Sequence, residues 1–314
     1  MTIAFLFFLL PAAFSQTADT HSVSLLVPKS TSSIPFFMMA EKKEVDGLDI
    51  QLELFINHAQ AMLRLMRGDV DLLYTGTSTG WENRLNGGPI VLINTGVWGV
   101  SYLMGKDRSI REFSDLRGKT VAIPFPGSPL DFQTRFILSK SGLDPDRDVI
   151  ITYSPFSQTI PKLLMGKLDA APLPEPLATN VEEGKNLYRL IDYKIAWANA
   201  SGGDFRSPQV SLFCTEEYGS ANENILMRLV NEWETHTRYV KENPGAGERV
   251  AKKYLDFQPS VLEKAIKNTE YYIPPFAENR ERVISYYHMI KKFLPGKRGE
   301  IDEGFIFFPE GGGN

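Results

Sequence analysis

From residue 23 onward, short apolar runs alternate with stretches whose apolar positions recur every three or four residues, and most of those stretches open on a residue able to cap a helix. Residues 23–27 and 50–54 read as strands, each followed by a helix. Ser33 stands before a helix at 34–45. Asn57, with Gln60 three positions on, stands before the stripe Ala59, Met62, Leu63 and Met66 that Gly68 closes. A strand at 71–75 leads to Thr79-Gly80-Trp81-Glu82, a capping box for the next helix, and strands at 90–97 and 101–104 follow. A second set then begins. Ser109-Ile110-Arg111-Glu112 is a further capping box, 120–123 a strand, and Ser128 caps a helix running to Lys140, with Gly142 just past its end. A strand at 149–153, a helix around 161–165 and a strand at 169–173 complete the set. Alternation of this kind builds largely parallel sheets layered with helices, so the expected class is α/β.

The two sets share local words. Leu65-Met66-Arg67-Gly68-Asp69-Val70-Asp71 lines up with Leu163-Leu164-Met165-Gly166-Lys167-Leu168-Asp169 at an offset of 98 positions, and Gly47-Leu48-Asp49 matches Gly142-Leu143-Asp144 at nearly that offset. Any junction of helix, glycine and strand reads similarly, so the inference of two equivalent lobes rests on the repeated order of elements as well as the words. Beyond Leu187 the pattern loosens until a strand at 209–213, placed to return to the first lobe. Helices at 223–240, 246–255, 259–267 and 279–293 then fit a carboxy-terminal cap on that lobe, and the tail Gly311-Gly312-Gly313-Asn314 is too rich in glycine to order itself.

The chain has 314 residues, 43% of them hydrophobic, which suffices for two cores. Its formal charge of −4 is spread without long blocks of one sign, which argues against nucleic acid or an anionic membrane surface as partner. Residues 1–15 carry no charge, are apolar from Ile3 to Leu10, and end on Ala12-Ala13-Phe14-Ser15. That is an export signal with a small-residue cleavage site, though without the usual basic start, and its apolar run falls short of the about 20 residues that span a bilayer. The single cysteine, Cys214, cannot form an internal disulfide, and no cysteine follows the apolar run to carry a lipid. The expected location is the periplasm, free of any anchor.

Longer words extend the picture. Ile34-Pro35-Phe36-Phe37-Met38-Met39-Ala40-Glu41-Lys42, Phe113-Ser114-Asp115-Leu116-Arg117-Gly118-Lys119, Pro174-Glu175-Pro176 and Val240-Lys241-Glu242-Asn243-Pro244 stand in an order, spread over residues 22–295, that resembles the binding proteins of ATP-driven importers for sulfonates, nitrate, taurine and thiamine pyrimidines. The resemblance implies a two-lobed type II periplasmic-binding-protein fold, with a ligand cleft between lobes that close on a hinge. It places lobe 1 at 22–104 and 209–314, lobe 2 at 105–208, and the crossovers near 103–106 and 203–211. It further implies a monomeric receptor without a cofactor, which delivers a small organic solute to the permease of an ABC importer. A receptor docking on a membrane sensor would use the same closure.

In doubly wound sheets ligands sit outside the carboxyl ends of strands. That rule selects the loops 28–33, 55–58, 75–79, 97–100, 125–128, 154–157 and 174–176. They offer Lys29, and His58 when protonated, as cations. Ser32, Asn57, Thr77, Ser78 and Ser128 supply hydroxyls and an amide, and Gly127 permits close backbone approach. Trp98, Phe156 and Trp197 are candidate stacking walls, and Glu175, held between two prolines, could accept hydrogen bonds from ring N–H or amine groups. Each hydroxyl serves equally well as a cap and each ring as core. Helix N-termini can hold an anion without arginine, which keeps sulfonates open. With so few cations in these loops, the balance favours a heterocyclic or aromatic solute.

The rival reading is enzymatic. Gly76-Thr77-Ser78-Thr79-Gly80 matches the G-x-S-x-G elbow of serine hydrolases between a strand and a helix, with His236 or His288 as base. No HGGG-type oxyanion segment precedes it, and both histidines fall on polar late helices. The four histidines are scattered without metal-ligand spacing, so no metal site is expected.

Overall fold

The computed structural model describes residues 20–42, 44–184, 187–294, 303–307 and 309; the export-signal stretch and the glycine tail lie outside them. The first lobe opens with β1 (His21–Pro28), α1 (Ile34–Ala40), β2 (Leu48–Phe55), α2 (His58–Met66), β3 (Leu72–Gly76), α3 (Thr77–Leu85) and β4 (Ile90–Val97). The second holds β5 (Ser101–Gly105), β6 (Thr120–Ile123), α4 (Pro129–Lys140), β7 (Ile150–Tyr153), α5 (Phe156–Leu164), β8 (Ala170–Pro174), α6 (Leu177–Gly184), β9 (Tyr188–Asp192) and α7 (Tyr193–Ser201). The chain returns through β10 (Val210–Thr215) and finishes with α8 (Glu216–Ala221), α9 (Glu223–Glu242), α10 (Pro244–Ala251), α11 (Pro259–Asn268) and α12 (Phe276–Ile290).

Capping chemistry explains most of the starts. Asn57 Oδ1 accepts from the Gln60 amide at 3.0 Å, and Ser128 Oγ accepts from the Asp131 amide at 3.1 Å with Pro129 at the first helical position. Two boxes read from sequence are not used. Helix α3 begins at Thr77, whose N–H donates to Gln209 O at 3.1 Å, so the residue before β10 supplies the acceptor at the helix start in place of Thr79. Near Ser109, the reciprocal cap is made by Glu112 and Asp115 around a 3-10 turn at Phe113–Leu116.

The sheets run β2-β1-β3-β10-β4 and β7-β6-β8-β5-β9. In each, three parallel strands are followed by a strand running antiparallel. In both sheets that fourth place is filled by the strand that has just crossed from the other lobe, β10 in the first and β5 in the second. The first crossing is therefore residues 98–100, earlier than the sequence places it. Trp98 and Val100 are buried like their strand neighbours, which hides the boundary from a hydropathy pattern.

The crossing strand is bonded on both edges. Ser207 N donates to Trp98 O and Gln209 N to Val97 O on one side; on the other, Trp98 N donates to Glu270 O, Glu270 N to Gly99 O and Tyr272 N to Gly96 O, at 2.7–3.1 Å. The crossing is thus bonded to the returning segment 207–209 and to residues 270–272. Helices α9, α10 and α11 cover lobe 1, where Phe36 stacks on Trp233 at 4.7 Å. Helix α12 departs from the expected cap: it packs against β4 of lobe 1 and α4 of lobe 2. One apolar cluster runs from Leu73 and Trp81 through Val283, Tyr286 and Tyr287 to Val121, Phe136 and Trp197.

Candidate functional site

The loops at the carboxyl ends of β1, β2 and β3 meet those of β6 and β8, and the lobes touch. Ser78 Oγ donates to Gly127 O at 2.9 Å, Thr31 Oγ1 donates to Glu175 O at 3.3 Å, and the rings of His58 and Phe125 lie 5.6 Å apart. A methyl placed on Gly76 would stand 3.1 Å from Pro129, and one on Gly127 only 2.1 Å from Glu82 Oε1. Gly127 also has φ +76°, a left-handed conformation that glycine adopts without strain. The backbones of Gly76 and Gly127 thus approach the opposite lobe closely.

A wall of buried hydroxyls and amides lies behind this contact. Thr77 Oγ1 and Thr95 Oγ1 share Ser211 Oγ at 2.7 and 2.9 Å, Gln209 Nε2 donates to Ser207 Oγ at 3.1 Å, and Gln133 Nε2 donates to the same hydroxyl. Gln133 Oε1, an acceptor, and the Ser101 hydroxyl are buried without a hydrogen-bond partner among the described residues, a costly state that a ligand or water can relieve. Gln133, Ser207 and Gln209 were not singled out from the sequence; a glutamine on the capped face of α4, one turn past Ser128, was the available signal.

The candidates divide. Ser32, Thr77, Ser78, Gly127, Ser128 and half-buried His58 come together where the lobes meet. Ser32 Oγ lies 2.6 Å from Ser30 Oγ, and His58 Nδ1 lies 2.7 Å from Thr75 Oγ1. Burial pushes the His58 imidazole down to about 4, so the closed protein holds it neutral. Lys29 and Asn57 are exposed, and the Asn57 oxygen is taken up by the α2 cap. Phe156 opens α5, partly buried against the core of lobe 2.

Three further candidates are engaged within the protein. Trp197 is buried between Phe136 and Tyr286, with ring centroids 4.8 and 5.0 Å away, because the face of α7 that carries it packs on α4. Trp98 lies in the hinge, its Nε1 donating to Tyr272 O at 2.8 Å. The Glu175 carboxylate is already engaged: it accepts from Arg189 at 2.8 Å, from the Thr179 amide and hydroxyl at 3.1 Å each, and from Asn268 Nδ2 at 2.9 Å.

Glu82 was also missed. It stands on α3 against Gly127, and burial, followed by the charge of Asp131, pushes its carboxyl up to about 7. The buried cations nearby are paired, Arg135 with Asp131 at 2.8 Å and Arg189 with Glu175. Ser78 donates its proton to a carbonyl, and His236 Nδ1 lies 2.7 Å from Glu232 O, so neither is arranged as half of a nucleophile and base pair.

Two mixed α/β sheets, joined by two crossings and lined with polar groups where they meet, match the fold of periplasmic binding proteins. Residues 16–254 match the model of the NMT1-like family, and the chain belongs to that family. Solved structures of similar fold include an ABC transporter protein from Parabacteroides distasonis, 20% identical, covering 93% of this chain and 100% of that one with a TM-score of 0.72. The alkanesulfonate-binding protein SsuA from Xanthomonas axonopodis pv. citri, bound to MOPS, is 15% identical over 91% of this chain and 98% of its own, with a TM-score of 0.72. The periplasmic nitrate-binding protein NrtA from Synechocystis PCC 6803 is 13% identical over 88% and 83%, with a TM-score of 0.67. No curated protein matches the chain at a significant level.

Proposed function

We propose that this chain is the solute-capturing receptor of an ABC importer, exported to the periplasm by residues 1–15, and that it closes as a monomer on a small uncharged organic solute for delivery to the permease. The observation that carries the reading is the lobe contact itself, in which Ser78 of α3 donates to Gly127 O before α4, while the Gln133 side-chain oxygen and the Ser101 hydroxyl are buried without a partner among the described residues. The type II fold shared with the sulfonate and nitrate receptors supports a binding role over a catalytic one.

Charge separates the solute from theirs. Lys29 is exposed, His58 is neutral, Arg135 and Arg189 are paired, and burial beside Asp131 pushes the Glu82 carboxyl up to about 7, so the contact offers no free cation to an anionic solute. A heterocycle or similar compound carrying both N–H or O–H donors and acceptors suits that lining better than a sulfonate does, because the Gln133 oxygen calls for a donor and the Ser101 hydroxyl can meet either.

A thermal-shift screen of ligand-stripped protein starting at Gln16, against sulfonates, nitrate, pyrimidines, flavins, aromatic acids and amino acids, tests both parts. A ligand at 100 times its dissociation constant stabilises the native state by about 2.7 kcal/mol. Hits among uncharged heterocycles, weakened by Ser78→Ala, support the reading. Hits confined to sulfonates or nitrate overturn the charge argument, and ester hydrolysis abolished by Ser78→Ala would replace the receptor with a hydrolase.

A further inference from the structure

We propose that lobe closure moves one proton charge from His58 to Glu82, so that closure, and solute affinity with it, is nearly independent of pH; this rests on the receptor reading above. Both groups stand on lobe 1, at the start of α2 and within α3, and both are covered by one segment of lobe 2, residues 124–128. Phe125 lies over the imidazole, and Gly127 lies over the carboxylate. Covering a base favours its neutral form by releasing a proton, and covering an acid favours its neutral form by taking one up. A single loop therefore imposes opposite proton demands.

The surroundings leave these demands intact. Around His58, β2 and β3 contribute Phe55 and Thr75; Glu53 of β2 pairs with Arg64 of α2 at 2.8 Å, and Lys29 is exposed. Around Glu82, α4 contributes Asp131, held by Arg135 and by the Gly127 amide at 2.9 Å, with Tyr153 OH 3.2 Å away. Arg84 of α3 engages Glu216, and on α12 Arg282 pairs with Glu278 at 2.7 Å.

Opening returns both groups to water, at ordinary values of 6.5 for the imidazole and 4.5 for the carboxyl, against about 4 and about 7 when closed. The Glu82 contribution favours closure below 4.5 and is lost as pH rises through 7. The His58 contribution favours closure above 6.5 and is lost as pH falls through 4. Between pH 5 and 6.5 the open protein carries His58 charged and Glu82 ionised, and the closed protein carries both neutral. The net charge does not change.

The test is the closure constant of the mature chain, read by single-molecule FRET from fluorophores on Arg67→Cys and Lys167→Cys, which are exposed on opposite lobes, while Cys214 is buried. Between pH 8 and 5 the constant should rise by at least about 10-fold in His58→Asn and fall by at least about 10-fold in Glu82→Gln, while the wild type changes by much less than either. The double variant should be flat again, which a merely structural defect at either site would not produce. Glu82→Ala serves as a second acid variant. Mobile lobes with both single variants flat overturn the proposal alone. Lobes that keep one distance at every pH and with every solute of the screen overturn the receptor reading and the proposal together.

Discussion

Glu175→Ala separates a carboxylate that holds the protein together from one that selects a ligand. The side chain is fully buried in its pair with Arg189, which stacks 4.0 Å above the Tyr102 ring and also pairs with Glu182 at 2.7 Å. Truncation removes four hydrogen bonds and leaves the Thr179 amide and the Asn268 amide group without their acceptor. Breaking a buried pair costs about 3–5 kcal/mol, and Glu182 retains part of the Arg189 interaction, so about 3 kcal/mol is expected. At roughly 2–4 °C per kcal/mol for a domain of this kind, the melting temperature should fall by about 6–12 °C. The assay is calorimetric unfolding of wild type and variant without solute, followed by the solute screen at a temperature where both are folded. An unchanged melting temperature together with altered solute preference would refute the structural assignment and return Glu175 to the cleft.

Three further outcomes follow from the packing. Gly127→Ala puts an L side chain on a backbone with φ +76° and a methyl against the Glu82 carboxylate, so it should cost about 1–2 kcal/mol of stability in denaturant unfolding; an unchanged unfolding midpoint would contradict the left-handed turn. Trp197→Ala should lose about 3–5 kcal/mol in denaturant unfolding with solute preference unchanged, and a change of preference would place the ring back in the site. Burial pushes the Cys214 thiol up to about 12, so a disulfide reagent at pH 7 should leave the native chain unlabelled over a period that fully labels it in denaturant.

Where local chemistry decides structure, the sequence was readable. The strand Thr120–Ile123 and the helix capped by Ser128 fall where the pattern puts them, because a four-residue apolar run and an S-P-x-D start admit few alternatives. Helix α7 and strand β9 escaped notice. In Tyr188–Asp192 charged and apolar residues intermix, and the cap of α7 is Asp192 accepting from Lys194 N at 2.8 Å, with apolar positions on more than one face. The site was legible as loops but not as partners. Nothing local tells that Glu175 will meet Arg189 across β5 or Asn268 of α11, or that Trp98 will donate to Tyr272, 174 positions later, since the first pair needs the second sheet assembled and the other two need the chain to have returned to the first lobe.

The aromatic seam that runs from Phe136 and Trp197 through Tyr286 to Trp81 bears on how such a chain can be recombined. Two lobes joined only by strands could be exchanged between receptors like modules. Here a lobe transplanted alone leaves half of the seam facing water and removes the helix that fills it. A working chimera must carry α12 together with α4 and α7, so the inheritable unit is a lobe plus its distant carboxy-terminal helix.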